Sequence, residues 1–198
     1  MSHAGKQAGK QQVRIIGGQW RGRKLSFRPA AGLRPTGDRI RETLFNWLAA
    51  DIQGAKCADL FAGTGALGLE ALSRGAAHCD FVDSSPAALN QISEHLGALG
   101  ATDRGHCIAS TAEDAVEQAA APYDIVFLDA PFQSGLVQPA INALSRFQIV
   151  REGALVYIET HVKEAALITP EEWHLHRDKR TGAVAYRLYR LSSLSTAR

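Results

Sequence analysis

The segment that most constrains this chain is Asp59-Leu-Phe-Ala-Gly63-Thr-Gly65-Ala-Leu-Gly68. A short apolar run, Cys57 to Phe61, enters it, and an apolar stretch from about Ala66 to Ser73 leaves it. A strand therefore passes through a glycine turn directly into a helix. Glycine allows the backbone to turn sharply and to approach another group closely. The first turn of the helix points its unpaired N–H groups into the same space. Such a unit opens a parallel sheet covered by helices.

The downstream pattern continues that alternation. Gly75 closes the helix, and Cys79–Val82 reads as a strand, Pro86–Leu99 as a helix with proline in its first turn, and His106–Ala109 as a strand. Glu113–Ala120 is a short helix, Tyr123–Leu128 a buried strand, Leu136–Phe147 a helix and Ala154–Glu159 a strand. Two extended stretches, Trp173–Lys179 and Ala183–Leu191, form a terminal hairpin that adds antiparallel strands at one edge. The class is α/β, a mostly parallel sheet covered on both faces.

Upstream, Val13–Ile16 and Arg23–Phe27 predict a small hairpin carrying Trp20, whose ring is expected to pack on the body, the alternative being that it stacks on a nucleic-acid base. A loop, Arg28–Arg34, leads to a helix that Thr36 is placed to cap. Ile40, Leu44, Trp47 and Leu48 make its apolar stripe, and Arg39, Glu42 and Asn46 share another face available to line a pocket. The domain reading is a disordered basic tail over 1–12, a basic hairpin extension over 13–35 and a single α/β domain over 36–198.

Charge is uneven along the chain. Residues 1–41 carry ten Lys or Arg against Asp38 alone, residues 42–176 six against eighteen acids, and residues 177–198 six against Asp178. A basic arm on an acidic body points to a polyanionic partner, of which nucleic acid is the commonest. The three cysteines, Cys57, Cys79 and Cys107, form no CxxC pair, and the seven histidines show no ligand spacing. A disulfide framework and a metal site are therefore not expected, and the thiols read as reduced, as in a cytoplasmic protein. The polar N-terminus is not a secretory signal, and no apolar run is long enough to span a membrane.

The glycine triplet alone fits NAD, FAD and S-adenosylmethionine equally. Asp59 separates them: a carboxylate at the strand end suits the cationic amino group of a methionine moiety and would repel a pyrophosphate. Asp83, at the end of the next strand, can accept ribose hydroxyls, as it also would in an NAD site. The cofactor-binding set is Asp59, Phe61, Gly63, Gly65, Asp83, Ser84, Thr111 and Ala112, with S-adenosyl-L-methionine as cofactor.

At the end of the buried strand stands Asp129-Ala130-Pro131-Phe132. It resembles the Asp/Asn-Pro-Pro-Tyr/Phe turn of amino-directed nucleic-acid methyltransferases. An aryl amine has its lone pair delocalised into the ring, and two acceptors on its N–H groups draw the nitrogen toward sp³ geometry. Asp129 supplies one acceptor and the carbonyl of Ala130 the other, while Phe132 stacks on the flipped base. Ala130 stands where the pattern usually has Pro, and Pro131 still holds it extended.

Three further segments narrow the resemblance: Arg14-Ile-Ile-Gly-Gly-Gln-Trp-Arg-Gly-Arg-Lys-Leu25, Leu33-Arg-Pro-Thr-Gly-Asp-Arg-Ile-Arg-Glu-Thr-Leu-Phe-Asn-Trp-Leu48 and Ala183-Val-Ala-Tyr-Arg-Leu-Tyr189. With the glycine loop and the Asp129 turn, they are similar to the bacterial RsmD family over residues 13 to 190. The resemblance implies the Rossmann-like seven-stranded S-adenosylmethionine methyltransferase fold, preceded by a small N-terminal β-hairpin extension. It implies methylation of the exocyclic N2 amine of a guanine in 16S rRNA, within the 30S subunit or a late assembly intermediate, by a cytoplasmic monomer. Arg14, Arg21, Arg23, Lys24 and Arg34 are the expected RNA-backbone contacts. Departures fall at Ser85, where the family often has a second carboxylate, and at Thr111-Ala112-Glu113, where an Asp or Asn commonly meets adenine. The competing readings are an adenine-N6 or other amine methyltransferase, a nicotinamide oxidoreductase on a similar sheet, and an assembly factor with impaired catalysis.

Overall fold

A computed structural model of the chain describes residues 11–27 and 37–192. Most of the expected tail, Arg34 and the Thr36 cap lie outside the described residues. Among the described residues fourteen elements follow one another. They begin with β1 (Gln11–Arg14), β2 (Lys24–Phe27), α1 (Asp38–Trp47), β3 (Lys56–Asp59) and α2 (Ala66–Ser73). β4 (His78–Asp83), α3 (Pro86–Leu99), β5 (Gly105–Ala109), α4 (Ala112–Glu117) and β6 (Tyr123–Leu128) come next. The chain then forms α5 (Val137–Phe147), β7 (Val150–His161), β8 (Trp173–Thr181) and β9 (Val184–Leu191).

Seven strands form one sheet in the order β5-β4-β3-β6-β7-β9-β8. β5, β4, β3, β6 and β7 run parallel, and the terminal hairpin joins antiparallel through β9. The expected Rossmann-like sheet with an antiparallel edge is therefore present. Strand order reverses at β3, with β4 and β5 to one side and β6 and β7 to the other. The crevice beyond the carboxyl ends of β3 and β6 is the general ligand position of such sheets. Apolar residues fill both faces: Phe45, Leu69, Phe81, Phe127 and Tyr157 on one, Val82, Val126, Leu128, Ile141 and Ile158 on the other.

α2 is buried at every position. One side lies on β4 so closely that a Cβ on Gly68 would stand 2.2 Å from the Phe81 ring. The other side receives the N-terminal extension. β1 and β2 pair as an antiparallel hairpin, Gln11 opposite Phe27 and Arg14 opposite Lys24. The strand begins at Gln11, two residues inside the tail the sequence suggested. Its turn is clamped to α2. Glu70, fully buried, accepts the N–H groups of Ile16 and Gly17 at 2.8 Å each. The Ser73 hydroxyl donates to the Gly17 carbonyl at 2.6 Å and accepts the Trp20 N–H at 3.0 Å. Gly18, at φ +76°, leaves room for the Ser73 carbonyl, which a Cβ there would meet at 1.8 Å. Trp20 is packed inward under the Arg104 guanidinium, 5.2 Å from its ring centre.

α1 lies between this hairpin and the sheet. Its cap position is Gly37, with no side-chain cap bond, so the capping role assigned to Thr36 does not appear in the described residues. The buried face holds Ile40, Arg41, Leu44 and Phe45, with Leu48 just beyond. Trp47 is half-buried and stacks on Tyr186 at 5.5 Å. Arg41 reaches Asp38 at 2.6 Å, the Arg14 carbonyl at 2.9 Å and Glu70 at 3.5 Å. A helix covered on two sides buries a wider arc than its single apolar stripe announces.

Candidate functional site

The carboxyl ends of β3, β4, β6 and β7 each deliver an acid: Asp59, Asp83, Asp129 and Glu159. Asp59 is buried beneath the glycine loop, and its Oδ2 accepts the Gly68 N–H at 3.0 Å. One of its oxygens is thus committed to holding α2 in place. Burial pushes the Asp59 carboxyl up to about 7; the Gly68 hydrogen bond pulls the other way, and Asp129 and Asp83 add repulsion. The loop itself bends through left-handed residues, Gly63 at φ +51° and Gly65 at φ +74°. Asp83 fixes it from the next strand: Oδ2 accepts the Gly63 N–H at 2.8 Å, and Oδ1 accepts the Ser85 N–H at 2.8 Å. Phe61 is half-buried and Ser84 exposed on the turn after β4.

Thr111 caps α4, its hydroxyl accepting the Asp114 N–H at 3.1 Å. Ala112 is buried in the same apolar cluster as Leu60, Val82 and Ala130. Asp129 leaves β6 half-buried, Ala130 is buried, and Pro131 and Phe132 emerge to the surface. The Phe132 ring meets the His161 ring edge-on at 5.8 Å. Gln133, at φ +61°, donates its N–H to the Glu164 carboxylate at 2.5 Å.

Glu159 is a residue the motifs did not single out. β6 and β7 pair Leu128 with Ile158, so Asp129 and Glu159 follow side by side on neighbouring parallel strands. Glu159 is buried and accepts the Tyr157 hydroxyl at 2.8 Å. Burial raises its carboxyl to about 8, Asp129 adds repulsion, and the Tyr157 hydrogen bond offsets part of the rise. The one available signal was its place at the carboxyl end of a strand in a parallel sheet. Glu70 and Arg41 were missed as well; they hold the hairpin rather than face the crevice.

The fold thus gathers Asp59, Gly63, Gly65, Asp83 and Asp129 at one end of the sheet. Arg14, Arg21, Arg23 and Lys24 stay together, exposed on the hairpin. Arg14 is already paired with Asp38 at 3.2 Å. Arg39, Glu42 and Asn46 are exposed on α1. A larger cavity of about 320 Å³ lies at the opposite end of the strands, lined by Asp51, Asp124 and Glu152. That is the end where open α/β sheets do not place ligands. Among the described residues no group of His, Cys, Asp and Glu is arranged to hold a metal ion, and no helix is long and apolar enough to cross a membrane.

A family model described as conserved hypothetical protein 95 matches residues 13–190. Ribosomal RNA small subunit methyltransferase D of Escherichia coli K12 is 48% identical over 182 residues, covering 92% of this chain and 91% of the relative. The protein of the same name from Haemophilus influenzae is 45% identical over 183 residues, covering 91% and 94%. Among solved structures, yhhF from Escherichia coli superposes with a TM-score of 0.85 at 45% identity, covering 92% of this chain and 99% of that one. An RNA methyltransferase from Salinibacter ruber, solved with S-adenosyl-L-homocysteine, shares the fold at 14% identity with a TM-score of 0.58, covering 81% and 95%.

Proposed function

Since the chain belongs to the RsmD family, that of conserved hypothetical protein 95, we propose that it methylates the exocyclic N2 amine of a guanine in 16S rRNA, using S-adenosyl-L-methionine. The substrate is the small subunit or a late assembly intermediate. The observation that carries this is the Asp129–Phe132 turn: a half-buried carboxylate at a strand end, followed by an emergent aromatic ring. The turn sits in a chain 48% identical to a ribosomal RNA small subunit methyltransferase D.

The residues at the glycine loop fit a methionine-linked nucleoside. A buried Asp59, held up to about 7 with no cation among the causes that set it in the described residues, gains from an ammonium placed over the loop. Its reach is electrostatic, from beneath the loop, since one oxygen already holds Gly68. Asp83 retains lone pairs for ribose hydroxyls after accepting two backbone N–H groups. Thr111 and Ala112, at the start of α4, flank the adenine. When bound, the cofactor supplies an already activated methyl group. The chain's own task is positioning and electrostatics. Asp129 and the Ala130 carbonyl accept hydrogen bonds from the two amine hydrogens, which aims the nitrogen lone pair at the methyl group. As the N–C bond forms and the S–C bond breaks, the nitrogen releases one proton to solvent and is left as a neutral secondary amine. Phe132, braced by His161, stacks on the base. Arg14, Arg21, Arg23, Lys24 and Arg34 contact the RNA backbone.

The test is transfer of labelled methyl to small subunits lacking the modification, with the product nucleoside identified. N2-methylguanosine is expected. Label in N6-methyladenosine, or none at all, overturns the reading.

The Asp59 argument gives a pH dependence. Below about 7 the carboxyl is largely protonated and must release a proton before it can attract an ammonium. S-adenosyl-L-homocysteine should therefore bind more tightly as pH rises from 6 to 7.5, by up to about tenfold per unit at the acid end. Titration calorimetry at several pH values reads this directly, and Asp59→Asn should flatten the curve. A flat profile in the unmodified protein removes Asp59 from this role.

A further inference from the structure

The structure carries a second basic feature far from the N-terminal hairpin in sequence. The segment between β7 and β8, together with the β8–β9 hairpin, encloses a cleft of about 230 Å³ lined by Thr160, His161, Glu164, Arg180, Arg187 and Tyr189. We propose that this cleft is an RNA phosphate subsite, in which Arg180 and Arg187 hold the backbone of the strand that delivers the target base. The proposal rests on the RNA reading above and extends it beyond the Asp129–Phe132 turn.

Three observations support it. The cleft is joined to the turn. His161, on its wall, meets Phe132 edge-on at 5.8 Å, and Glu164, at its rim, accepts the Gln133 N–H at 2.5 Å. A strand whose base stacks on Phe132 therefore has its neighbouring phosphates at this wall. One cation is available. β8 and β9 pair Asp178 with Arg187 and Arg180 with Ala185, so Arg180 and Arg187 are diagonal neighbours on one face. Arg187 lies 3.4 Å from Asp178 and donates to the Thr160 hydroxyl at 3.5 Å. Arg180 is exposed and makes no ion pair among the described residues. Arg187 is balanced by Asp178 and Glu164 lies at the rim, so Arg180, beside Arg187, is the guanidinium open to a phosphate oxygen through a charge-assisted hydrogen bond. Finally, the volume is small. Sites for whole small molecules span roughly 300–1,000 Å³. A smaller cleft beside a half-buried Tyr189 ring fits one phosphate and sugar of a longer chain.

Equilibrium binding of the full chain to small subunits lacking the modification, across roughly 50–200 mM salt, tests the subsite. Arg180→Ala should weaken binding about fivefold and Arg180→Glu about twentyfold or more. Each should lower the slope of log affinity against log salt by about one. S-adenosyl-L-homocysteine affinity in both variants should stay within twofold, which reports an intact fold. Wild-type affinity and slope in Arg180→Glu overturns the proposal, as does weakened binding with an unchanged slope. If the unaltered protein methylates guanine and Arg180→Glu binds as it does, the subsite alone falls. If binding depends on Arg180 but the methyl goes to adenine, the subsite stands and the base assignment falls. If the unaltered protein neither binds nor methylates the unmodified subunits, both fall.

Discussion

Asp129→Ala lowers the turnover of methyl transfer about a thousandfold or more while leaving S-adenosyl-L-homocysteine affinity within a few-fold. The size follows from the role proposed for the carboxylate. An aryl amine is a poor nucleophile because its lone pair belongs to the ring, and an acceptor on its N–H is what localises that pair. Removing one positioned group of this kind costs about 10²–10⁴ in rate, or roughly 3–5 kcal/mol of barrier. Asp129→Asn keeps an acceptor oxygen in place and is expected to lose only about tenfold. Single-turnover transfer to unmodified small subunits, beside calorimetry with S-adenosyl-L-homocysteine, separates the two effects. Loss of cofactor affinity in Asp129→Ala would mean that the residue builds the cofactor site instead. Asp129 also contributes to the raised carboxyls of Asp59 and Glu159. Its removal should therefore bring the pH dependence of cofactor binding to lower pH, a second reading from the same samples.

Glu70→Ala is expected to destabilise the fold by about 3 kcal/mol, because a buried charge network loses its centre. The Glu70 carboxylate receives two backbone N–H groups from the hairpin turn and pairs with Arg74 at 2.7 Å and with buried Arg41 at 3.5 Å. Without it, two N–H groups and a guanidinium remain buried with fewer partners. Urea unfolding should report the loss, along with a fall in melting temperature of roughly 6–12 °C for a chain of this size. Trypsin should also cut faster at Arg21 and Arg23, since the hairpin turn then keeps its Ser73 hydrogen bonds and apolar packing but loses the carboxylate clamp. Glu70→Gln, which keeps the shape and one acceptor, should lose about half as much. A change below 1 kcal/mol in Glu70→Ala would mean that apolar contacts around Ile15, Trp20 and Leu25 seat the hairpin unaided.

What could be read from the sequence was whatever local chemistry punctuates. α2 and α3 have the expected bounds, because a left-handed Gly65 starts one and Ser85-Pro86 starts the other. β6 was legible as an apolar run of strand length between turn signals. β7 was expected over six residues and runs for twelve. Its first part, Val150–Gly153, contains charged residues and a left-handed glycine, and its pairing with β6 slips between Tyr123 and Ile125. Irregular pairing leaves no period to read. At the site, the glycines, Asp59, Asp83 and Asp129 stood out because each follows a strand and precedes a turn. Glu159 did not, because its neighbour Asp129 lies thirty residues earlier and only the register of β6 and β7 brings the two together. Arg41 and Glu70 were hidden for a related reason. Each occupies a helix position that a periodicity argument assigns to solvent, and a separate hairpin covers it.

The order β7-β9-β8 has a consequence for how the protein is made. Strands β4 through β7 can each pair with a partner already synthesised as the nascent chain lengthens. The free edge of β7 has no such partner waiting. It must stay open while the next thirty residues emerge, because the strand that closes it is the second arm of the terminal hairpin and not the first. Through that interval the nascent chain presents an apolar, unpaired strand edge, Leu155 to Ile158, to its surroundings. A message truncated between the codons for Thr181 and Val184 would leave that edge permanently unpaired, and its product would be a substrate for chaperones and proteases rather than a slightly shortened enzyme.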